Sequence, residues 1–520
     1  MFAYIRKIRR QSQMEKRREK DRPAPEDNRG IDPSLSISIA AFEEAFGASS
    51  DLVVRRIMVG NIPAALLYLE GLVERAVVNE HILAPLLREQ REGSMMRSFH
   101  DYAEEVLTTG VFQRADTLHY ALESATRGCV LLFAEGVPQA LVISAQGGAF
   151  RAISEPDTEP VIRGPRDGFT ELLDINVGLL RRRIRDPALR IEKLALGYRT
   201  NTAVCVAYLD GIANPALVDE VQERLRSIDT DAILSDGYIE EYIEEKPWSV
   251  FQTIGHTEKP DVVAGKLLEG RIAILVDGSP FALTAPKLFI ESFQTAEDYG
   301  QPPYYATLLR VLRLISFFIS LLAPALYVAF TTFHPELIPT TLLFTMKAAS
   351  EGVPFPIFGE TAVMLFSFEV LREAGIRLPK PVGQAISIVG ALVMGQAAVQ
   401  AGIVGAPVVI VIAFTAVTGF VSPMVNETTT ILRWLYLILG AVMGGFGVTL
   451  GLMATLIHMC AIKSFSTPYL SPIAPLETGG LKDTIIRAPL WKMRTRPWSL
   501  KPQNSVRQSD HDVMDPKKEG

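Results

Sequence analysis

The pattern of apolar and polar positions divides the chain into a mixed N-terminal part and a strongly apolar C-terminal part. Most of the charge lies before Arg313, and the long uncharged runs lie between Leu314 and Ile462. A helix needs about 20 apolar residues to cross the hydrocarbon core of a membrane. The pattern therefore predicts a multi-domain protein, with a soluble α/β region of two subdomains followed by an all-α transmembrane bundle.

We expect five regions along the 520 residues. They are a basic disordered tail (1–30), an N-terminal α/β subdomain (31–155), a second α/β subdomain (156–305), a transmembrane helical domain (306–465) and a cytoplasmic C-terminal tail (466–520). No apolar stretch follows the basic N-terminal residues, so they do not form a secretory signal peptide. We therefore place the N-terminal region in the cytoplasm.

In the first subdomain, the pattern from about Ile31 to Ala125 predicts mostly helical structure. The near-helical spacing is that of Phe42, Phe46, Val53, Val54 and Ile57. The run from Ile62 to Glu70 fits either a strand or a short buried helix. Further along, the patterns predict a helix from Thr170 to about Arg185, a strand from Thr202 to Leu209 and a helix from Pro215 to Ile228.

Two predicted β-hairpins have similar sequences. Residues 134–142 are AEGVPQALV and residues 276–284 are VDGSPFALT, so an acid, a Gly, a Pro, an Ala and a Leu fall in register. An acid followed by Gly is turn chemistry, and apolar runs flank both turns. The match indicates either two related subdomains that arose by duplication or convergence on one hairpin solution.

The C-terminal part contains three uncharged runs long enough to cross a membrane. Leu314 to Phe333 is long enough for one helix kinked at Pro324, Pro381 to Asn426 for two helices, and Leu435 to Ile462 for one tilted helix. The basic tail after Lys463 should be cytoplasmic, so both ends lie inside and the number of crossings is even. We favour four spans plus a partially inserted segment, although Arg372, Arg377 and Lys380 would then lie outside, against the positive-inside rule.

A fourth segment, Val353 to Phe368, is apolar but contains Glu360, with Glu369 just beyond it. A carboxylate is costly at membrane depth, so these are candidate intramembrane or interfacial acids. The segment fits a span, a re-entrant segment or an interfacial helix. The number of crossings, four against five or six, therefore stays open.

The predicted helix from Gln384 to Gln400 carries a polar face. Val389, Val393, Gln396 and Gln400 lie on one side of it. Two amides beside two small apolar residues fit a pore with a hydrophobic constriction, and they equally fit helix packing with amide hydrogen bonds. Gly440, Gly444, Gly447 and Gly451 form a glycine ridge on the last helix, which predicts a close helix-packing surface.

The sequence contains no recognisable catalytic or cofactor-binding motif. It lacks the phosphate-binding GxxxxGK[ST], the zinc-protease HExxH and the hydrolase GxSxG patterns, and its histidines are scattered. The net charge of −6 argues against a nucleic-acid partner. We expect no enzyme activity, no metal and no cofactor.

Several long blocks resemble the GerA family of spore germination proteins. They include GPRDGFTELLDINVGLLRRRIRDP, EGVPFP, LREAGIRLPKPVGQAISIVGALVMGQAAVQAGIV and FSTPYLSPIAP, between about Gly164 and Thr478. The family comprises the A subunits of germinant receptors and their stage V sporulation protein AF relatives. The segment after PFP departs from the family pattern, because Glu360 is followed by the apolar Val363 and Met364. An ion path through that segment is correspondingly less well supported.

The resemblance implies a multi-pass protein of the spore inner membrane. It implies a permease-like B subunit and a lipoprotein C subunit as partners, and assembly, as pentamers, into a nutrient-gated cation channel. It also favours the pore interpretation of Val389, Val393, Gln396 and Gln400. An accessory channel of the AF type and a non-conducting scaffold remain alternatives, and neither the germinant nor the ion selectivity follows from the sequence.

Overall fold

The computed structural model describes residues 29–47, 49–88, 112–147, 163–378, 393–477 and 479–508, together with a few residues between these ranges. An α/β region comes first and a bundle of apolar helices follows, as predicted. The predicted basic tail lies almost wholly outside the described residues.

The first subdomain is built on a five-stranded antiparallel sheet with the order β1-β2-β4-β5-β3. Its strands are β1 (Leu52–Val59), β2 (Ile62–Leu69), β3 (Phe112–Ala115), β4 (Cys129–Ala134) and β5 (Ala140–Ser144). Its helices are α1 (Leu35–Phe46), α2 (Ala84–Arg88) and α3 (Leu118–Thr126). Both faces of the sheet are buried, because α1 and α3 cover one face and α2 contributes to the cover on the other.

The second subdomain repeats this arrangement with the order β6-β7-β9-β10-β8. Its strands are β6 (Leu189–Leu196), β7 (Thr202–Leu209), β8 (Gly255–Thr257), β9 (Ile272–Val276) and β10 (Ala282–Ala285). Its helices are α4 (Leu173–Arg183), α5 (Pro215–Arg226), α6 (Asp236–Ile243) and α7 (Pro260–Glu269). In both sheets the hairpin of the first two strands lies beside the hairpin of the last two. The middle strand in sequence forms one edge.

The two similar hairpins make the same contacts in both subdomains. A carboxylate oxygen of Glu135 accepts the backbone N–H of Leu35, the first residue of α1, at 2.9 Å. Asp277 accepts the N–H of Leu173, the first residue of α4, at 3.2 Å. The glycine after each acid adopts a positive φ, 82° at Gly136 and 84° at Gly278. The matching acid and glycine therefore cap a helix and form a tight turn.

The helical prediction for the start of this subdomain is partly wrong. Phe42 and Phe46 lie on α1, whereas Val53, Val54 and Ile57 lie on strand β1. Gly47 ends α1 with a left-handed φ of 54°, and the chain then turns into the sheet. The five apolar residues whose spacing suggested one helix therefore lie on two adjacent elements, α1 and β1. Of the two alternatives for Ile62 to Glu70, the strand is the observed one.

A buried ion pair joins the two subdomains. Arg181 of α4 donates to both carboxylate oxygens of Asp51, at 2.7 and 2.9 Å, and to the hydroxyl of Ser49 at 2.9 Å. The side chains of Arg181 and Asp51 are 1% and 3% exposed. Gly71 and Gly178 also meet at the interface, where a Cβ on Gly178 would lie 2.3 Å from the carbonyl oxygen of Gly71. The subdomains therefore pack closely through small and paired residues.

The helical bundle follows the second subdomain. Its helices are α8 (Pro303–Phe333), α9 (Thr340–Ser350), α10 (Ile357–Arg377), α11 (Ala406–Val421) and α12 (Asn426–Ala461), with a further helical segment at 393–400. Among the described residues, α8 and the helical stretch Pro423–Ala461, whose backbone breaks at Gly444, are long and apolar enough in total to cross a membrane.

The described residues after α12 pack back onto the second subdomain. Strands β11 (Lys463–Ser464) and β12 (Thr467–Pro468) form a small hairpin, and Phe465 between them lies in the core of the second subdomain. The guanidinium of Arg224 lies 4.3 Å from its ring centroid. Farther along, the backbone N–H of Gln503 donates to the carbonyl of Ile212.

An ion-pair network fixes the start of α8 to the soluble part of the chain. Asp298 is fully buried and accepts from Arg310 at 2.9 Å and from Arg313 at 2.9 and 3.0 Å. Arg310 also donates to Asp483 at 2.9 Å. Elements from before and after the bundle therefore meet at one point.

Candidate functional site

The last apolar run is a helical hairpin, so the prediction of one tilted helix from Leu435 to Ile462 is wrong. The backbone of α12 breaks at Gly444, where φ is 61° and ψ is −146°. The hydroxyls of Tyr436 and Thr455 lie 2.8 Å apart across the hairpin. Glycine is needed at the break because this backbone conformation disfavours side chains, and because a Cβ there would lie 2.8 Å from Phe333.

Both ends of this hairpin lie beside the second subdomain, at what we call the subdomain end of the bundle. Near the start of α12, Thr428 donates to the carbonyl of Val250 at 2.6 Å. Near its end, the ring of His458 lies 3.0 Å from the hydroxyl of Ser249. Gly444 lies at the opposite, distal end with Phe333, the last residue of α8.

Helix α10 runs beside α8 and α11 from the distal end to the subdomain end. At its start, the carboxylate of Glu360 accepts the backbone N–H of Gly405 at 2.7 Å. Gly405 immediately precedes α11, whose far end is tied to α8 by a hydrogen bond from Ser422 to the carbonyl of Arg313. Near the end of α10, Arg372 donates to Thr430 on α12.

The two predicted acids have protein partners. Glu360 is 1% exposed. Glu369 accepts from Arg433 of α12 at 2.8 Å and pairs with Arg372 at 2.6 Å. Arg433 is itself buried and donates to the carbonyl and hydroxyl of Ser320 on α8, both at 2.7 Å. This cluster connects α8, α10 and α12 through charge-assisted hydrogen bonds.

The predicted pore face lies on the outside of the single chain. Val393, Gln396 and Gln400 are exposed on the helical segment 393–400, and Val389 lies outside the described residues. Gly395, on the other side of the segment, faces α11, where a Cβ would lie 2.9 Å from Val409. The contact at Gly395 turns the amides away from the bundle, where a neighbouring subunit or water could meet them.

The four ridge glycines make close contacts on two different surfaces. A Cβ on Gly440 would lie 2.7 Å from the carbonyl oxygen of Ala325 on α8. On the returning half of the hairpin, a Cβ on Gly447 would lie 2.4 Å from the carbonyl oxygen of Leu439, and one on Gly451 would lie 2.9 Å from the ring of Tyr436. The regularly spaced glycines therefore lie on both sides of the chain reversal at Gly444.

The sequence pattern did not identify Arg433 as part of this site. In the sequence, Arg433 is a single cation just before a long uncharged run. Its partner Glu369 lies 64 residues earlier in the chain. Among the described residues, no group of three or more His, Cys, Asp or Glu side chains is arranged to hold a metal ion. The chemistry of the bundle, as far as it is described, consists of amides, hydroxyls and paired charges.

Comparisons with known proteins cover nearly the whole chain. The model of the Bacillus/Clostridium GerA spore germination protein family matches residues 40–499. Spore germination protein KA of Bacillus subtilis (strain 168) is 44% identical over 96% of this chain and 91% of its own length. Spore germination protein GerLA of Bacillus cereus is 38% identical over 89% of this chain and 95% of its own length.

Half of the chain is also similar to a solved structure. It is the N-terminal domain of the A subunit of the Bacillus megaterium spore germinant receptor GerK3, 35% identical, with a TM-score of 0.41 over 50% of this chain and 98% of that one. The family match and the curated relatives together decide the identity. The chain belongs to the GerA family of spore germination proteins, whose members include germinant-receptor A subunits.

Proposed function

We propose that this protein is the A-type subunit of a spore germinant receptor and that several copies assemble, as pentamers, into a nutrient-gated cation channel. The proposed role is non-enzymatic. One observation carries it: a single chain presents Val393, Gln396 and Gln400 outward on an apolar bundle. Exposed amides are costly against lipid, whereas around a shared axis they would line a water-filled path.

The course of the helices supports six membrane crossings, with the soluble region in the cytoplasm. Helix α8 leads away from the second subdomain, α10 returns, and α11 also returns from the distal end. The end of α10 and the start of α11 lie at opposite ends of the bundle, so we count one further outward crossing between them and assign the described segment 393–400 to it. The hairpin α12 adds two crossings of about 27 Å each, at ~1.5 Å per residue.

This arrangement also removes the charge conflict of the four-span interpretation. Arg372 and Arg377 lie toward the subdomain end of α10. With six crossings that end faces the cytoplasm, which agrees with the positive-inside rule. An even number of crossings also places the C-terminal residues on the same side as the second subdomain, with which they make contact.

Ion flux from proteoliposomes tests the channel. Full-length protein, alone and with the permease-like and lipoprotein subunits that we propose as partners, is reconstituted and cation release is followed after germinant addition. We expect Val393→Ser to increase leak, because a polar side chain would hydrate the constriction. The matched control is Val442→Ser, which alters an exposed valine on α12.

Three outcomes separate the alternatives. Equal flux from both variants and the unmodified protein would rule out the pore face. Flux that needs no nutrient and no partner subunit would favour an accessory channel of the AF type. No flux under any germinant, with all subunits present, would favour a scaffold.

A further inference from the structure

A cavity of about 740 Å³ lies between the second subdomain and the bundle. One wall comes from α7, β8 and the residues after β10, and the other includes Arg313 of α8 and the loop Ser422 to Met424 between α11 and α12. Its volume is in the range of small-molecule sites, which are commonly found where domains meet. The cavity is separate from the predicted pore face on 393–400.

Six cationic and five carboxylate side chains line this cavity, and three of the cations lie around Glu291. Glu291 pairs with Arg271, lies 3.2 Å from the ammonium of Lys266, and accepts the backbone N–H of Leu288 at 2.6 Å. The third cation, Lys287, is 6% exposed and donates to the amide oxygen of Gln252 at 3.0 Å. Within the described part of the chain, Lys287 forms no salt bridge.

A second observation is that buried polar groups in the wall of this cavity lack hydrogen-bond partners. The Nε of Arg271 is buried and has no hydrogen-bond partner among the described residues, and the same holds for one carboxylate oxygen each of Asp261 and Glu291, which also line the cavity. Buried donors without partners are rare, and a buried ammonium without a counter-ion is costly. The pKa of Lys287 is lowered to about 8, first by burial and then by Lys266. An anion in the cavity would relieve the deficits of both cations, Arg271 and Lys287.

We propose that this cavity binds a small oxyanion, a carboxylate or a phosphate, with Lys287 as its main ligand. Lys287 is also connected to both ends of the hairpin helix α12. Gln252, which accepts from Lys287, donates to Glu427 in the first turn of α12 at 3.0 Å. The backbone N–H of Lys287 donates to Ser464, just after α12, at 3.1 Å. A bound oxyanion would therefore favour one position of the hairpin α12 relative to the second subdomain.

The test measures the thermal unfolding midpoint of the full chain in nanodiscs of zwitterionic lipid. Inorganic phosphate and succinate are titrated separately, each against sodium chloride at equal ionic strength. We expect a saturable rise in the midpoint with at least one of them, since a ligand that binds only the folded state stabilises it. A parallel arm with anionic phospholipid asks whether the oxyanion comes from a lipid headgroup.

Two variants and two matched controls locate the effect. Lys287→Met should weaken binding by about tenfold or more, because it removes a charge-assisted hydrogen bond; Lys193→Met removes a lysine away from the cavity. Gly265 lines the cavity, and a Cβ there meets no atom within 4 Å. Gly265→Trp should therefore fill the cavity and abolish the response, while Gly265→Ala should keep it.

The proposal is overturned if neither anion nor the anionic lipid gives a saturable stabilisation beyond that of chloride. It is also overturned if the stabilisation persists in both Lys287→Met and Gly265→Trp. If Lys287→Met does not fold, Gly265→Trp against Gly265→Ala decides alone. These measurements need no ion flux, so they are independent of the proposed channel.

Discussion

The hydroxyl of Tyr436 lies 2.8 Å from that of Thr455, although 19 residues separate them within one apolar run. A straight helix would hold them about 28 Å apart at ~1.5 Å per residue. The contact exists because Gly444 adopts a left-handed φ and reverses the chain. One uncharged run thereby supplies two antiparallel helices to the bundle.

Spin labels measure this reversal directly. With the three native cysteines replaced by serine, labels are placed at Leu435 and Leu456, which are exposed on the two halves of α12. We expect a separation well below the ~31 Å that a straight helix imposes. The control pair, Ile431 and Val442, lies within one half and should give about 16 Å in either case. A distance near 31 Å for the first pair would disprove the hairpin.

The buried pair Glu369–Arg433 should make a large contribution to the stability of the bundle. Glu369→Gln leaves the buried Arg433 with neutral partners in place of its carboxylate, and breaking a buried ion pair costs about 3–5 kcal/mol. The double variant Arg433→Met with Glu369→Leu should lose less stability than these two substitutions lose in total when each is made alone. Denaturation in detergent measures this cycle. The exposed pair Glu373–Arg377 is the control and should change stability by less than about 1 kcal/mol.

The two hairpin acids should have equal and local effects. Glu135→Ala and Asp277→Ala each remove an acceptor from the first backbone N–H of a helix, which costs about 1 kcal/mol. Hydrogen exchange of the full chain should show faster exchange at the start of α1 for the first variant and of α4 for the second. If exchange increases throughout the protein or at neither helix, the shared capping role is wrong.

Lys287 gives a pH dependence whose sign follows from its lowered pKa. The pKa is about 8 in the folded chain against an ordinary 10.5, so between these values the unfolded chain binds more protons and stability rises with pH. The penalty of burying the charged ammonium is complete below about pH 8. Lys266 opposes the charge, while Glu291, Glu240 and Glu244 favour it.

The measurement compares unmodified protein with Lys287→Met from pH 7.5 to 10.5. The variant should be more stable at pH 7.5, and its advantage should shrink by about 3 kcal/mol across the range, at ~1.4 kcal/mol per pKa unit. Lys193→Met serves as the control, because Lys193 pairs with Asp174 and its pKa is raised. An advantage that does not change with pH would show that Lys287 is not the titrating group.

The sequence by itself determined the order of the parts and much of the secondary structure. Strand β7 was predicted with its observed bounds, and Asn214 starts α5 by accepting the N–H of Ala216. The matching hairpins indicated either related subdomains or convergence on one hairpin, and the two sheets have the same strand order. Local signals were sufficient here because turn glycines, caps and alternating apolar residues act within a few positions of one another.

The tertiary structure decided which distant residues meet. Val53 to Ile57 form a strand because they pair with β2, although their spacing with Phe46 fits a helix. Arg433 and Glu369, 64 positions apart, pair only because α10 and α12 lie side by side. The reversal at Gly444 depends on packing against α8, since an apolar run with four glycines fits one long helix or two short ones equally well. Periodicity records which face of an element is apolar, and only packing determines what that face touches.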